Sequence, residues 1–290
     1  MIDLTFNGKD LGFNGNNLVY DPSMWSFTAM LRFTDNVTPT FSKGTGVQVS
    51  SSPNLWRLTY ENQDWSNLLD GQGDLLEVIE ANTSGVTNMA GMFNDCSALT
   101  AVALFDTSDV TDMSGMFAKC DSITSVPLFN TSKVTDMYRM FYFCWDLTSV
   151  PLFDTSKVTD MHEMFYFCES LTSLPLFDTS KVTDMGLMFF SCRRLTSLPL
   201  FDTSKVTDMG SMCMSCYELT SIPLLNTSSC TNMSRAFNAC YNVQTGALAF
   251  YQQASTQATP PANHQFVFTD CGINTTTGAA ELAQIPSDWK

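Results

Sequence analysis

The sequence repeats itself at a fixed interval over most of its length. Cysteines stand at positions 96, 120, 144, 168, 192, 216 and 240, and methionines at 89, 113, 137, 161, 185, 209 and 233. A second methionine follows three positions after each of the first six. Units this short cannot bury an apolar face alone, so they stack in one dimension and each is covered by its neighbours.

Each unit combines two apolar periodicities. Leu171, Leu174 and Leu176 form an L-x-x-L-x-L run, which is typical of a short strand. The following M-x-x-M-F-x-x-C places apolar residues at i, i+3, i+4 and i+7, the spacing of one helix face. Thr183 stands where a helix N-cap belongs, and Asp184 follows at the positive end of the helix dipole. The sequence therefore predicts an α/β repeat, a leucine-rich-repeat-like solenoid of about seven strand–helix coils.

Three segments are predicted from where the repeat begins and ends: an N-terminal β-rich module and cap at 1–60, the repeat solenoid at 61–246 and a C-terminal cap at 247–290. Residues 64–80 match the repeat when one counts back by one interval, which indicates a degenerate first coil. Strands are predicted at Phe27–Phe33, Thr45–Ser50 and Leu55–Tyr60. Residues 1–26 are expected to form a small β appendage for attachment or oligomerisation.

The C-terminal segment departs from the period after Cys240. Ala247–Gln253 is predicted as a helix that ends before a Pro-Pro pair. Phe266–Phe268 is predicted as a strand, and Phe268-x-x-Cys271 repeats the spacing of the units. The closing Glu281–Trp289 segment is expected to lie over the last coil as a cap.

One unit contains Ala236-Phe237-Asn238-Ala239-Cys240, and most others have Met in place of the Ala. An A-F-x-x-C next to an L-x-x-L run resembles the BspA-like leucine-rich repeats of bacterial and protozoan surface proteins. The V-T-D-M-x-x-M-F-x-x-C form resembles the methionine-rich variant found in gut-bacterial surface proteins and their mobile elements. The resemblance covers about residues 60–246 and implies a leucine-rich-repeat fold that acts as an interaction scaffold.

The ten cysteines raise the question of disulfides or a metal site. Helices on neighbouring coils would pack about 8–10 Å apart, whereas a disulfide needs Cα atoms within about 7 Å. Cys213 and Cys216 form the one C-x-x-C, and no second pair is spaced to complete a zinc site. We therefore predict buried packing thiols, with no metal and no cofactor.

Aspartates also recur at the repeat interval, in the turn and before the first methionine. Such columns could bind Ca²⁺, or they could cap the predicted helices while neighbouring lysines offset their charge. Capping is the favoured interpretation, and calcium stays open as the alternative. The columns are Asp112, Asp136, Asp160, Asp184 and Asp208, with Asp154, Asp178 and Asp202 in the turn and Lys133, Lys157, Lys181 and Lys205 between them.

The charge balance limits the partners. Asp and Glu total 29 against 14 Lys and Arg, a formal net charge of −15, which argues against nucleic acid and anionic membranes. No stretch approaches the roughly 18 apolar residues of a membrane span, and the first residues lack the features of a signal peptide. No catalytic motif of the G-x-S-x-G, H-E-x-x-H or phosphate-loop kind occurs, so the chain is predicted not to be an enzyme.

Positions that differ between copies are free to serve a ligand. After the first methionine of each unit, the positions at +1, +5 and +8 carry rings and arginines in the central copies, as do their neighbours. In the early copies the same three positions carry Ala, Asn, Ser or Asp. This composition is typical of binding hot spots, although the tyrosines could also simply cover the outer edge of the core. The predicted binding residues are Tyr138, Arg139, Tyr142, Phe143, Trp145, His162, Tyr166, Phe167, Phe190, Arg193, Arg194 and Tyr217.

These observations predict a non-enzymatic binding or structural protein that recognises a protein or a surface glycan. The absence of an export signal favours a phage virion component, such as a fibre, decoration or receptor-binding subunit. The alternatives are a BspA-type adhesin on the bacterial cell surface and a cytoplasmic interaction scaffold. Homo-oligomerisation through the N-terminal module is also expected.

Overall fold

The computed structural model describes residues 27–290 and, at 1–26, the backbone of four short strands. These strands form two antiparallel hairpins, β1 with β2 and β3 with β4. The attachment role predicted for this stretch lies largely outside the described residues. The strands are β1 (Thr5–Phe6), β2 (Lys9–Asp10), β3 (Gly12–Asn14) and β4 (Asn17–Val19).

A five-stranded sheet covers the N-terminal end of the repeat. Its order is β6-β7-β5-β8-β9, with β8 and β9 parallel and the other neighbours antiparallel. The predicted strands of this region are confirmed, including the strand of the degenerate first coil. The strands are β5 (Phe27–Phe33), β6 (Thr45–Ser51), β7 (Asn54–Tyr60), β8 (Leu75–Ala81) and β9 (Ala101–Val102).

The predicted helix of each coil is wrong, and with it the α/β strand–helix fold class. The M-x-x-M-F-x-x-C segment is a run of turns. Phe141 N–H donates to the carbonyl of Met164 on the next coil at 2.9 Å, whereas an α-helix would pair it with Met137. Every second residue of the segment donates in this way, and the residues between them close turns within the coil, as Met140 N–H does to Met137.

Left-handed backbone at two positions of each segment makes this geometry possible. In the fourth coil these are Arg139 and Phe143, with φ of 55° and 60°. Such residues end a right-handed helix and turn the following N–H out of the coil. The pair recurs in nine successive coils: Asn67 and Gly71, Gly91 and Asp95, Gly115 and Lys119, Arg139 and Phe143, Glu163 and Phe167, Leu187 and Ser191, Ser211 and Ser215, Arg235 and Ala239, Phe266 and Asp270.

The predicted strand at Leu171–Leu176 is also absent. Pro175 lacks the N–H that a strand would donate, and its carbonyl accepts from Phe177 N–H in a tight three-residue turn. Leu176 lies at the apex of that turn and is 60% exposed, although its spacing predicted a core residue. Ala103 stands at the equivalent position of the second coil, and there the chain does form β9 beside β8.

The core nevertheless contains the apolar residues that the repeat indicated. Met137, Met140, Phe141 and Cys144 are fully buried, as are their equivalents in the neighbouring coils. The phenylalanines that follow the second methionine stack from coil to coil, with ring centroids 5.3–5.8 Å apart between Phe93 and Phe189. A second buried phenylalanine, which the sequence interpretation missed, precedes each D-T-S or N-T-S turn from Phe105 to Phe201.

A column of buried threonines joins each coil to the next by side-chain hydrogen bonds. Thr155 is 1% exposed, and its hydroxyl donates to the carbonyl of Asp178 on the next coil at 2.8 Å. The same bond is made by Thr107, Thr131, Thr179 and Thr203. Each hydroxyl satisfies a carbonyl that would otherwise be shielded from water.

The C-terminal cap consists of helices α1 (Ala247–Thr256) and α2 (Thr276–Gln284) and a 3₁₀ turn (Ser287–Trp289). The predicted first helix is confirmed. The predicted strand at Phe266–Phe268 is wrong, because this segment is the ninth run of turns. Trp289 is buried and its ring lies 6.3 Å from the ring of Phe268, so the closing segment covers the last coil as expected.

We expect the buried threonine bond to contribute measurably to stability. Thr155→Val keeps the shape of the side chain but leaves the Asp178 carbonyl without this donor, so it should lower the free energy of unfolding by about 1–3 kcal/mol. The matched control is Thr159→Val, because Thr159 is exposed and its hydroxyl is 3.5 Å from its acceptor; its effect should stay within about 0.5 kcal/mol. Urea titration measures both values, and equal losses in the two variants would contradict this account.

Candidate functional site

Rings on three consecutive coils form one surface. Tyr142 stacks on Tyr166 with centroids 5.0 Å apart, and Tyr166 stacks on Phe190 at 4.8 Å. Phe143 stacks on Phe167 at 4.9 Å in a parallel column. All five residues are half-buried. Their side chains stack because equivalent positions on hydrogen-bonded neighbouring coils lie about 5 Å apart.

A third column and one further ring extend this surface. Tyr138 stacks on His162 at 5.9 Å, and Trp145, which is 48% exposed, lies 6.3 Å from Phe143. We use the name aromatic patch for the rings and the arginine that the structure brings together here: Tyr138, Arg139, Tyr142, Phe143, Trp145, His162, Tyr166, Phe167 and Phe190.

A partly buried ion pair holds the arginine of the patch. The guanidinium carbon of Arg139 lies 4.7 Å from the ring centroids of both Tyr138 and Tyr142. Its Nε donates to Glu163, which is 8% exposed. This hydrogen bond raises the pKa of Arg139. The positive charge of Arg139 is therefore paired with the carboxylate of Glu163. The guanidinium group is held in place and packs against both rings.

Two tyrosines of the patch, Tyr138 and Tyr166, have perturbed pKa values. Burial raises the pKa of Tyr138 and of Tyr166. His162 lies between two carboxylates, with Nδ1 3.2 Å from Asp184 and Nε2 3.7 Å from Glu163. The patch thus offers flat ring faces and hydroxyl groups beside one paired arginine.

The remaining predicted residues do not join the patch. Arg193 lies 5.6 Å from the ring of Tyr217 and pairs with Glu169 at 3.3 Å. Tyr217 stacks on Tyr241 at 5.1 Å, a residue that the sequence interpretation missed although it follows Tyr217 by one repeat. Arg194 is exposed.

A depression borders the patch on the side of the early coils. It has a volume of about 380 Å³. Its lining includes Ser114 and Ala118, which stand one repeat before Tyr138 and Tyr142. The change from small to large side chains between successive coils therefore creates the cavity. The sequence showed this change, but not that it produces a concave surface. The lining consists of Asn67, Ala90, Gly91, Asn94, Ser114, Gly115, Ala118, Lys119, Tyr138, Arg139 and Tyr142.

A row of exposed leucines runs along another part of the coils. Each member stands at the apex of the tight turn described for Leu176, or at the equivalent position, and is 56–66% exposed. Sequence spacing assigned these side chains to the core, so the surface they form was missed. We call it the leucine stripe: Leu104, Leu128, Leu152, Leu176, Leu200 and Leu224.

The aspartate columns cap turns rather than helices. Asp184 accepts from the N–H of Gly186 at 2.8 Å, whereas Thr183, the predicted N-cap, donates to the carbonyl of Thr159. Burial, followed by the charges of Asp112 and Asp160, raises the pKa of Asp136. Within the described residues, no group of three or more His, Cys, Asp or Glu side chains has the arrangement of a metal site.

All ten cysteines are free and buried. The Cys144 thiol donates to the carbonyl of Phe117 at 3.0 Å, and the thiol of Cys168 makes the equivalent bond at 3.1 Å. Burial raises the pKa of Cys96 and of Cys271 to about 12. The predicted packing role of the cysteines is thus confirmed by these contacts.

The fold and its surfaces define a repeat protein built from stacked coils of successive turns, which displays an aromatic patch on its central coils. The chain belongs to the DUF285 family, described as Mycoplasma protein of unknown function, whose model matches residues 63–171 and 143–250. A search of curated proteins gave no match. Across the part of the chain that the structure describes, no helix is long and apolar enough to cross a membrane.

Proposed function

We propose that this protein is a non-enzymatic recognition protein that binds a protein or a glycan through the aromatic patch. One observation carries the proposal. Ala118 and Tyr142 occupy equivalent positions, yet the cores of their two coils are equally closed, since Phe117 and Phe141 are both fully buried. The coil therefore does not need a ring at this position to cover its core. Half-exposed rings on three successive coils supply instead the large, rigid contact area that binding sites use.

The location in which the protein acts is a separate proposal. A phage virion is the first candidate and the bacterial cell surface, as in BspA-type adhesins, is the alternative. Either place would present a repeat solenoid to an outside partner. Antibody labelling of purified phage particles and of intact cells distinguishes the two.

A second candidate function, assembly with another copy of the same chain, is favoured by the leucine stripe. Its six leucines are each 56–66% exposed and stand in one row, and a row of exposed apolar side chains is typical of an interaction surface. The adjoining turns carry Lys133, Lys157, Lys181 and Lys205 against Asp106, Asp109, Asp154, Asp178 and Asp202. This edge is thus nearly neutral in a chain with net charge −15, and a second copy is not repelled. Because both stripes have the same spacing, the leucines of one copy fit between those of the other.

The aromatic patch is tested with residues that the chain itself uses at the same positions. Phe143→Ser, Trp145→Ser and Phe167→Ser in one variant copy Ser191, Ser97 and Ser215, respectively, of other coils, so the fold should tolerate them. On an array of bacterial polysaccharides, host glycoproteins and matrix proteins, we expect wild-type protein to bind at least one spot. The triple variant should bind that spot at least about tenfold more weakly, because hot-spot rings each contribute about 2 kcal/mol or more.

The matched control for the array is Ser149→Ala with Ser173→Ala, which alters exposed side chains outside the patch. It should bind as wild type does. Wild-type protein that binds no spot, or a triple variant as tight as wild type, contradicts the proposal.

The leucine stripe is tested by the state of association. Leu152→Ser, Leu176→Ser and Leu200→Ser together should convert a dimer into a monomer in sedimentation experiments across the micromolar range, because the apolar contact is lost. Folding stability should change little, since these side chains are exposed. The same serine-to-alanine control should remain dimeric. A wild-type monomer throughout this range, or a leucine variant that associates like wild type, would exclude assembly through the stripe.

A further inference from the structure

Two of the ring columns end at the same boundary between coils. Tyr142 stacks on Tyr166 and Tyr138 stacks on His162, each toward the next coil. One repeat earlier, the equivalent positions hold Ala118 and Ser114. Both columns therefore stop at the depression, whose lining includes Tyr138, Tyr142, Ser114 and Ala118. The place that a further ring would occupy is open space there.

The depression has the volume of a small-molecule site. Its volume of about 380 Å³ lies within the roughly 300–1,000 Å³ range of ligand pockets. Gly115 and Ala118 leave part of its floor without long side chains, so a ligand can approach the backbone there, whereas the side chain of Asn67 covers Gly91. The rings of Tyr138 and Tyr142 form its wall, and the Arg139–Glu163 pair fixes that wall in place.

The polar groups around the depression favour a neutral ligand with many hydroxyls. Asn67 and Asn94 contribute side-chain amides, which can both donate and accept. Lys119 also lines the depression, and its positive charge acts on the carboxylate of Asp121. The charge of Arg139 is paired with Glu163, and the net charge of −15 on the chain does not favour an anionic ligand.

We propose that the depression binds a neutral hexopyranose ring of a glycan. The apolar C–H face of the sugar lies against Tyr142, as the next member of the column Phe190, Tyr166 and Tyr142. The sugar hydroxyls exchange hydrogen bonds with the amide of Asn67. They also donate to the side-chain oxygens of Asn94 and Ser114, whose own donors are bonded to Asp70 and Asp112. This inference rests on the proposed function, because it names the ligand class of one part of the recognition surface.

The repeat itself supplies two reciprocal test variants. Ala118→Tyr places a ring where the next coil already has one, which fills the depression. Tyr142→Ala copies the residue of the preceding coil, which removes the ring that the sugar would contact. Each substitution is already present in an equivalent coil of this chain, so the fold should be retained, and thermal unfolding checks that it is.

The probes are the methyl pyranosides of glucose, galactose, mannose and N-acetylglucosamine, with methyl glucuronide as the charged comparison. Saturation-transfer NMR on the full chain should show at least one neutral pyranoside binding with a millimolar dissociation constant. Both variants should weaken that binding at least about tenfold, and Ser149→Ala with Ser173→Ala should leave it unchanged. Methyl glucuronide should bind no better than its neutral counterpart.

Absence of a signal from all four neutral pyranosides overturns the inference, as does undiminished binding by a folded Ala118→Tyr or Tyr142→Ala variant. Preference for the glucuronide would make the ligand an anion and overturns it too. Failure here leaves the proposed function separately measurable. The array experiment uses Phe143, Trp145 and Phe167, which do not line the depression, and detects protein partners as well as glycans.

Discussion

The hydrogen bond between neighbouring coils is the interaction on which the structure depends. In the run of turns, an N–H of one coil meets a carbonyl of the next coil, as Phe141 does with Met164 and Phe143 with Tyr166. The other N–H and carbonyl groups close turns within the coil, so these buried backbone groups find partners without a helix or a regular strand. The cost is a left-handed residue at two positions in each coil, and most of these are not glycine.

This backbone arrangement also creates the surfaces. Equivalent residues lie directly above one another at about the spacing of hydrogen-bonded strands. A ring at one position therefore stacks on a ring at the same position of the next coil, and a change from Tyr142 to Ala118 ends the column and opens the depression. In the same way, a proline in most coils prevents a strand, and the leucine that follows it lies at the apex of a tight turn. Because this turn recurs at the repeat interval, the leucines form the leucine stripe.

The sequence revealed the repeat and most of the buried residues, but not the secondary structure of the coil. The spacing i, i+3, i+4 and i+7 fits one face of a helix. It fits equally well two successive four-residue turns whose first and last side chains point inward, as Met137, Met140, Phe141 and Cys144 do. Apolar periodicity reports burial and cannot separate these conformations. Local signals against a helix and a strand were present in Gly91, Gly115 and the recurring proline before Leu176.

The residues of the candidate site could be predicted because they differ between copies of the repeat. Nine of the twelve predicted binding residues form the aromatic patch. Stacking could not be foreseen, because it requires the coil-to-coil register. The depression and the leucine stripe depended on the turn geometry and were missed for the same reason.

The most direct test of the account is the coupling across the hydrogen bond of Phe141, measured by NMR between its amide nitrogen and the accepting carbonyl carbon. A run of turns predicts coupling to Met164 on the next coil. Coupling to Met137, one helical turn earlier in the same coil, would show a helix and contradict the structure of the coil.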